Sequence, residues 1–362
     1  MENSKMGITT SSLCIKVPCE RAEVLRRTLQ KMELLDQSRS IVQSKSDGKV
    51  LIPITHEPSA EEMQMLTQLS PIELLRSDLP SPRVRPKDLI SALDGTLPPH
   101  LLAILPRSFD IVGDIAVIED LAPELIPHAE TLGKAIMQIH PRVKTVLLKT
   151  GKVDGEFRIP RFTLLAGEEK YETIHTEYGV KLKVNLSKAY FSPRLATEHH
   201  RVASQVRDGE IVVDMFAGVG PFSILIANRT SAKVFSLDIN PDAIALLRES
   251  IKLNRLRGEI IPLCGDVRSF VPKLRGVADR VIMNLPASSL DYLGVAATFL
   301  KREGGIVHLY LFAKEEPIQN AREMLVAKLD NLVRSYEARN ARVVKPVAPR
   351  EWQVVLDIFM VP

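Results

Sequence analysis

Cysteine is scarce in this 362-residue chain, and its three copies, Cys14, Cys19 and Cys264, lie far from any ligand spacing. With no Cys-x-x-Cys pair and no Cys/His constellation, neither a disulfide framework nor a structural zinc is indicated; no metal is expected, and the odd, scattered trio reads as reduced thiols of a cytoplasmic protein. Long apolar runs are also missing. None approaches the ~18 residues that cross a bilayer, and residues 1–12 lack the apolar core of a signal peptide, so a soluble intracellular protein without membrane contact is expected. Strong charge of one sign is absent too: 48 Lys and Arg against 44 Asp and Glu leave a formal +4. That balance permits an anionic partner without demanding one, so local clustering has to carry any case for nucleic acid. No internal repeat or low-complexity tract interrupts the chain.

What is present centres on Asp214-Met215-Phe216-Ala217-Gly218-Val219-Gly220-Pro221-Phe222, between the apolar runs Ile211-Val212-Val213 and Ser223-Ile224-Leu225-Ile226-Ala227. It reads as strand, glycine turn, helix. Gly218 and Gly220 let backbone pass close to a ligand, and the helix beyond offers free N–H groups. A third glycine is missing, and Pro221 removes a donor where a pyrophosphate needs one, so a dinucleotide is disfavoured. The next strand, Val234-Phe235-Ser236-Leu237, ends in Asp238-Ile239-Asn240-Pro241, a carboxylate placed to hold a ribose diol. Further strands end in Asp266-Val267 and Asn284-Leu285-Pro286, with helical periodicity between, as over 242–254. Singly, each feature has a plain explanation as a turn or a helix cap. Four in order at successive strand ends do not, and the layout is that of S-adenosylmethionine-dependent methyltransferases.

The expected architecture is α/β: a doubly wound, Rossmann-like class I methyltransferase domain over 199–362, preceded by a small α+β domain (1–80), a proline-rich connector (81–88) and a mixed α+β middle domain (89–198). Pro80, Pro82 and Pro86 make the connector stiff. In the first domain, 12–17, 41–43 and 50–54 read as strands and 21–34 and 61–69 as helices. In the middle domain, 111–118 reads as a hairpin around Gly113-Asp114, 124–139 as a helix, 143–148 as a strand, and 171–176 with 180–184 as a second hairpin. Arg142, Lys144, Lys149, Lys152, Arg158 and Arg161 crowd together there, a surface that can track phosphates. In the last domain 304–311 and 354–359, separated by helical 316–334, are expected to pair as the edge hairpin.

Tyr190-Phe191-Ser192-Pro193-Arg194-Leu195 followed by Glu198, the turn 213–223, Asp238-Ile239-Asn240-Pro241, Asn284-Leu285-Pro286 and Ala348-Pro349-Arg350-Glu351 together resemble the archaeal and eukaryotic tRNA (guanine-N1) methyltransferases that modify the base 3′ of the anticodon. The resemblance spans nearly the whole chain and is most specific over 155–286. It implies S-adenosylmethionine as cofactor and tRNA as partner, held by the anticodon arm and outer corner, with the enzyme a monomer. It implies that Glu198 accepts the N1 proton, Arg158, forty residues upstream, faces the guanine O6, and Asn284 orients the base. That division suits the chemistry, since protonated N1 is a poor nucleophile and charge develops at O6. It further implies a cofactor site of His199, Asp214, Phe216, Gly218, Gly220, Asp238, Ile239, Asp266, Val267 and Asn284, and a substrate site of Arg158, Lys149, Lys152, Arg194 and Pro286. Two positions depart from the pattern: His199 stands where arginine is familiar, and Ala287 where lysine is frequent. Enzymes of wyosine biosynthesis share the scaffold and transfer a methyl or an aminocarboxypropyl group; Asp238, with Glu198 and Arg158, favours methyl transfer to guanine. A non-catalytic RNA-binding protein with a methyltransferase shell is the alternative from another class.

Overall fold

A computed structural model describes residues 9–44, 47–81, 86–154, 159–329 and 332–362, and the chain divides into two compact units, Met1–Arg85 and Pro86–Pro362. In the first, β1 (Thr9–Val17), α1 (Ala22–Lys31), β2 (Val42–Gln43), β3 (Val50–Pro53), α2 (Ala60–Leu69) and β4 (Glu73–Pro80) form a sheet of order β2-β3-β1-β4 with two helices. Ile15, Ile52, Leu25, Leu29 and Leu66 make its core. Ser59 and Glu62 close a capping box that starts α2. The sequence reading lacks β4, whose eight residues carry Arg76 and Asp78 among leucines and show no clean alternation. Residues 82–85 of the expected connector lie outside the described residues.

The second unit begins with α3 (Leu89–Leu93), α4 (Pro99–Leu102), β5 (Asp110–Val112), β6 (Ile115–Ile118), α5 (Ala129–Ile139), β7 (Thr145–Asp154) and β8 (Ile159–Gly167). Their sheet has order β5-β6-β7-β8, with β6 and β7 parallel. The helix expected over 124–139 opens as a 3-10 turn over Pro123–His128, because Pro127 has no N–H to give, and becomes α-helical only at Ala129. The hairpin β9 (Glu172–Glu177) and β10 (Val180–Asn185) leans on the methyltransferase part. Its Lys181 and Lys183 amides donate to Asn254 Oδ1 and Ser250 Oγ, each at 2.9 Å.

Then follow α6 (Ala196–Ala203), β11 (Ile211–Asp214), α7 (Pro221–Arg229), β12 (Lys233–Asp238), α8 (Pro241–Lys252), β13 (Glu259–Cys264), α9 (Val271–Leu274), β14 (Arg280–Met283), α10 (Leu293–Phe299), β15 (Gly305–Lys314), α11 (Pro317–Leu329), β16 (Ser335–Ala348) and β17 (Glu351–Val361). Their seven-stranded sheet has order β13-β12-β11-β14-β15-β17-β16, parallel through β15 and antiparallel beyond. The doubly wound class is as expected; the edge is not. β15 and β17 do pair, but β16 is the outer strand, fourteen residues whose exposed run Ser335–Arg339 carries no apolar alternation. Sheet order runs outward in both directions from β11, whose neighbours are β12 and β14, so a crevice opens beyond the carboxyl end of β11.

Candidate active site

That crevice is a cleft of about 760 Å³. Its floor is the glycine turn after β11. Gly218 has φ +55 and open space around its Cα, with nothing nearer a notional Cβ than the Tyr190 carbonyl at 3.8 Å, so backbone there faces the cleft directly. Gly220, at φ +81, does not line the cleft. A Cβ on it would sit 2.3 Å from Leu247 Cδ1, so this glycine serves the packing of α7 on α8 rather than the ligand. Asp214 also lies beneath the turn, fully buried and away from the cleft. Ser223 donates to its Oδ2 at 2.8 Å while Oδ1 makes no hydrogen bond of good geometry among the described residues; burial first, then the nearby Asp238, pushes its carboxyl up to about 7.

One end of the cleft suits a nucleoside. Asp238 closes β12, and its oxygens accept the Gly218 amide at 2.7 Å and the Asn240 amide at 2.9 Å. Each oxygen keeps a second lone pair, which is what a ribose diol requires. Ile239 and Val267 provide apolar wall, and Phe216 stacks edge-on against Tyr292 at 5.2 Å. Asp266 lines the same end but is tied to Arg268, whose Nη2 lies 2.8 Å from its Oδ2. That guanidinium also covers the Tyr292 ring at 5.3 Å. Tyr292 and Arg268 went unread in the sequence because neither stands at a strand end.

The other end is polar and narrower. Asn284 follows β14, and its Oδ1 accepts from Gln353 Nε2 on β17 at 3.3 Å, which leaves the amide N–H groups to face the cleft. Ser289 bridges the Met283 carbonyl and the Leu285 amide, holding the turn that presents Pro286. Phe312, Gln353 and Lys345 form one rung across β15, β17 and β16 and close this side. Lys345 belongs also to an adjoining hollow of about 300 Å³, lined by Asp110, Glu119, Lys149, Tyr190 and Arg194. Burial first, then Arg194 and Lys149, push the Lys345 ammonium below its usual value, against the pull of Asp110 and Glu119. Arg194 pairs with Asp110 at 2.8 Å and Lys149 with Glu119 at 2.7 Å. Lys345, with only Ser192 Oγ at 3.4 Å among the described residues, is the less engaged cation.

His199 and Glu198 share α6 but face different ways. His199 is buried, lines the cleft, and holds Glu177 Oε1 through Nδ1 at 2.6 Å. Glu198, 1% exposed, does not line the cleft. Its Oε2 accepts from Arg201 Nε at 2.9 Å and from the Tyr310 hydroxyl at 3.0 Å, and its Oε1 makes no hydrogen bond among the described residues. Tyr310 stands two residues from Phe312 on β15, hence on the same sheet face and one rung, ~7 Å, deeper. The structure therefore gathers Phe216, Gly218, Asp238, Ile239, Asp266, Val267, His199, Asn284, Pro286 and Lys149 at one cleft. Arg194 lies in the adjoining hollow, and Glu198 is buried outside the lining of either. Arg158 and the side chain of Lys152 lie outside the described residues. Among the described residues no cluster of His, Cys, Asp or Glu could hold a metal, and no helix is long and apolar enough to cross a membrane.

Comparison with known proteins places names beside this geometry. A TRM5/TYW2 methyltransferase domain model matches residues 173–337, a TYW2 N-terminal domain model residues 89–170, and a tRNA methyltransferase 5 N-terminal domain model residues 14–62. The chain is 38% identical to the tRNA (guanine(37)-N(1))-methyltransferase Trm5b of Pyrococcus abyssi, over 96% of this chain and 98% of that protein. It is 32% identical to a tRNA(Phe) (4-demethylwyosine(37)-C(7)) aminocarboxypropyltransferase of Pyrococcus horikoshii, over 76% and 96%. The solved complex of aTrm5 with tRNALeu superposes with a TM-score of 0.72 at 32% identity, covering 96% of this chain and 99% of that one.

Proposed function

The chain belongs to the TRM5/TYW2 methyltransferase family, and from that membership we propose that it transfers a methyl group from S-adenosylmethionine to N1 of guanosine 37 in tRNA. The observation that carries the reading is one continuous cleft with Asp238 and Gly218 at one end and the Asn284–Gln353 pair at the other. The first end fits a nucleoside with a ribose diol, the second the hydrogen-bonding edge of a base, and the volume suits both together. When bound, the cofactor supplies an electrophilic methyl on its sulfonium. Asp238 would hold the ribose, Phe216, Ile239 and Val267 the adenine, and His199 the amino-acid end.

The residues at the other end handle the base, which has to leave its stack to enter. Asn284, its amide fixed by Gln353, donates to the guanine edge and sets its angle. The resemblance assigns the N1 proton to Glu198, which is buried outside the cleft lining and has to be reached by the base once it has entered; the electron pair left on N1 becomes the nucleophile. A cation near O6, Arg158 in this reading, spreads the charge that develops there. Lys149 and Lys345 line both hollows and mark the route of the RNA backbone. The protein acts on a cytoplasmic substrate as a monomer.

Methyl transfer to unmodified tRNA transcripts carrying guanine or another base at position 37 tests the proposal, with mass spectrometry of the nucleosides. A methyl on guanine alone supports it; an aminocarboxypropyl adduct would shift the assignment to the other branch of the family. Asp238→Ala should weaken S-adenosylhomocysteine binding in calorimetry by ~1.5–3 kcal/mol, the loss typical of hydrogen bonds to a charged partner, because the diol and the Gly218 amide lose one acceptor. Unchanged affinity would remove Asp238 from the site. A Lys149→Ala, Lys345→Ala double variant should lower the slope of log tRNA affinity against log salt by about 1–2. An unaltered slope would return both lysines to the surface charges that RNA never meets.

A further inference from the structure

We propose that Arg342 is an exchangeable counter-ion of Glu198: an RNA phosphate draws it away, and the carboxylate oxygen it covers becomes the free proton acceptor. The inference rests on Glu198 as the base and concerns what keeps that base covered before the RNA arrives.

The two oxygens of Glu198 are held unequally. Oε2 is saturated by Arg201 and Tyr310. Oε1, buried, has among the described residues only Arg342 Nη1 at 3.3 Å, in an ion pair without hydrogen-bond geometry. The two arginines also differ in freedom. Arg201 is clamped by Asp357 through Nη1 at 2.5 Å and Nη2 at 3.1 Å, so it cannot follow another anion. Arg342 is 39% exposed against 2% for the Glu198 side chain, and it stands on β16, the outermost strand. Outside the Glu198 pair no other partner holds it among the described residues.

Register places Arg342 next to the substrate route. Positions three apart on a regular strand face opposite sides of a sheet. Here β16 is bulged between Val343 and Lys345, so Arg342 pairs with Val355 and Lys345 with Gln353, two residues apart on β17. Arg342 and Lys345 therefore share a face, Lys345 on the rung that closes the cleft and Arg342 on the rung beneath. A phosphate brought in along Lys345 is one rung from a half-exposed guanidinium. Phosphate matches the guanidinium fork better than a carboxylate oxygen met off-axis. Withdrawal leaves no bare charge, because Arg201 and Tyr310 remain on Oε2. The charged or titratable groups around Glu198 are thus Arg201 from α6, Tyr310 from β15 and Arg342 from β16, with Asp357 of β17 behind Arg201.

Steady-state pH profiles with an unmodified guanine-37 transcript test this, since kcat/KM reports the free enzyme and kcat the complex. Loss of a cation a few ångströms away makes a carboxylate more basic. In the natural chain the acid limb of kcat should therefore lie above that of kcat/KM. Arg342→Gln should raise the kcat/KM limb to meet the kcat limb and leave the kcat limb in place. Two unmoved limbs would overturn the proposal, and so would two that move together, since Arg342 would then stay on Glu198 in the complex. Calorimetric cofactor affinity equal to the natural chain's verifies the fold of the variant. Should Glu198→Gln keep both acid limbs, it is the base assignment that fails, and the exchange with it.

Discussion

Glu198→Gln should cut single-turnover methyl transfer by ~10²–10⁴, the cost of losing a general base, while tRNA and cofactor affinities stay near their natural values. The amide oxygen can accept from Arg201 and Tyr310 as Oε2 does, so those two contacts are kept, and only the ion pair with Arg342 is given up. What the amide cannot do is take a proton at the other position, where Oε1 makes no hydrogen bond among the described residues. The residual rate should also lose its acid limb. Arg201→Lys separates holding from chemistry: it keeps a charge but loses the fork that joins Glu198 to Asp357, so it should slow transfer while the pH limb remains. A near-normal single-turnover rate for Glu198→Gln, with an unchanged melting temperature, would mean that the proton acceptor lies elsewhere and that Glu198 is a strut between α6 and the sheet.

The strand ends were legible in the sequence because their signals are local. Glycines at left-handed turns, acids closing apolar runs and Asn240-Pro241 opening α8 each follow from backbone rules that a short window contains. Family resemblance then singled out Asn284, which the structure brings to the cleft, and Glu198, which it buries away from the lining. What stayed hidden depends on register. Gln353, Lys345 and Arg342 come from β16 and β17, whose alignment rests on bulges of β16 against β17 and on the antiparallel insertion of β17 between β15 and β16. Nothing in Arg342-Val343-Val344-Lys345 announces that Arg342 and Lys345 face one way. Gly220 shows the opposite case, a glycine whose motif suggested ligand approach but whose constraint is Leu247. Asp214 is similar: its place in the motif implied contact with the cofactor, and its side chain is spent on Ser223 below the turn. Strands β4 and β8 and the short helices α3 and α4 escaped because their residues carry no period long enough to register.

Asp357→Ala should lower stability by ~3 kcal/mol at neutral pH, read as a fall in the denaturant midpoint at constant slope, because it takes the clamping anion from part-buried Arg201, which then keeps Glu198 as its counter-charge, and leaves the buried His308 donor without its acceptor. The carboxylate is 5% exposed and accepts from Arg201, from His308 Nδ1 at 2.6 Å and from Asn340. His308 in turn meets Arg280 Nη1 through Nε2 at 2.8 Å. Burial alone would raise the Asp357 carboxyl, but the hydrogen bonds from His308 and Arg201 hold it well below the usual carboxylate range. A depressed carboxylate stabilises the fold above its unfolded value of ~4 and ceases to do so as pH falls toward its folded value. The gap between natural chain and variant should therefore be widest from neutral pH down to about 5 and narrow below about 4. His308 limits the effect from the other side, since burial first, then Arg280 and Arg201, oppose its protonation, and it has no second charge to lend once Asp357 is gone. The same substitution frees Arg201 from its clamp, so methyl transfer should slow in protein that remains folded at low temperature. A loss under ~1 kcal/mol, or a gap that does not close in acid, would show that Asp357 behaves as a solvated surface charge and that Arg201 holds Glu198 without it.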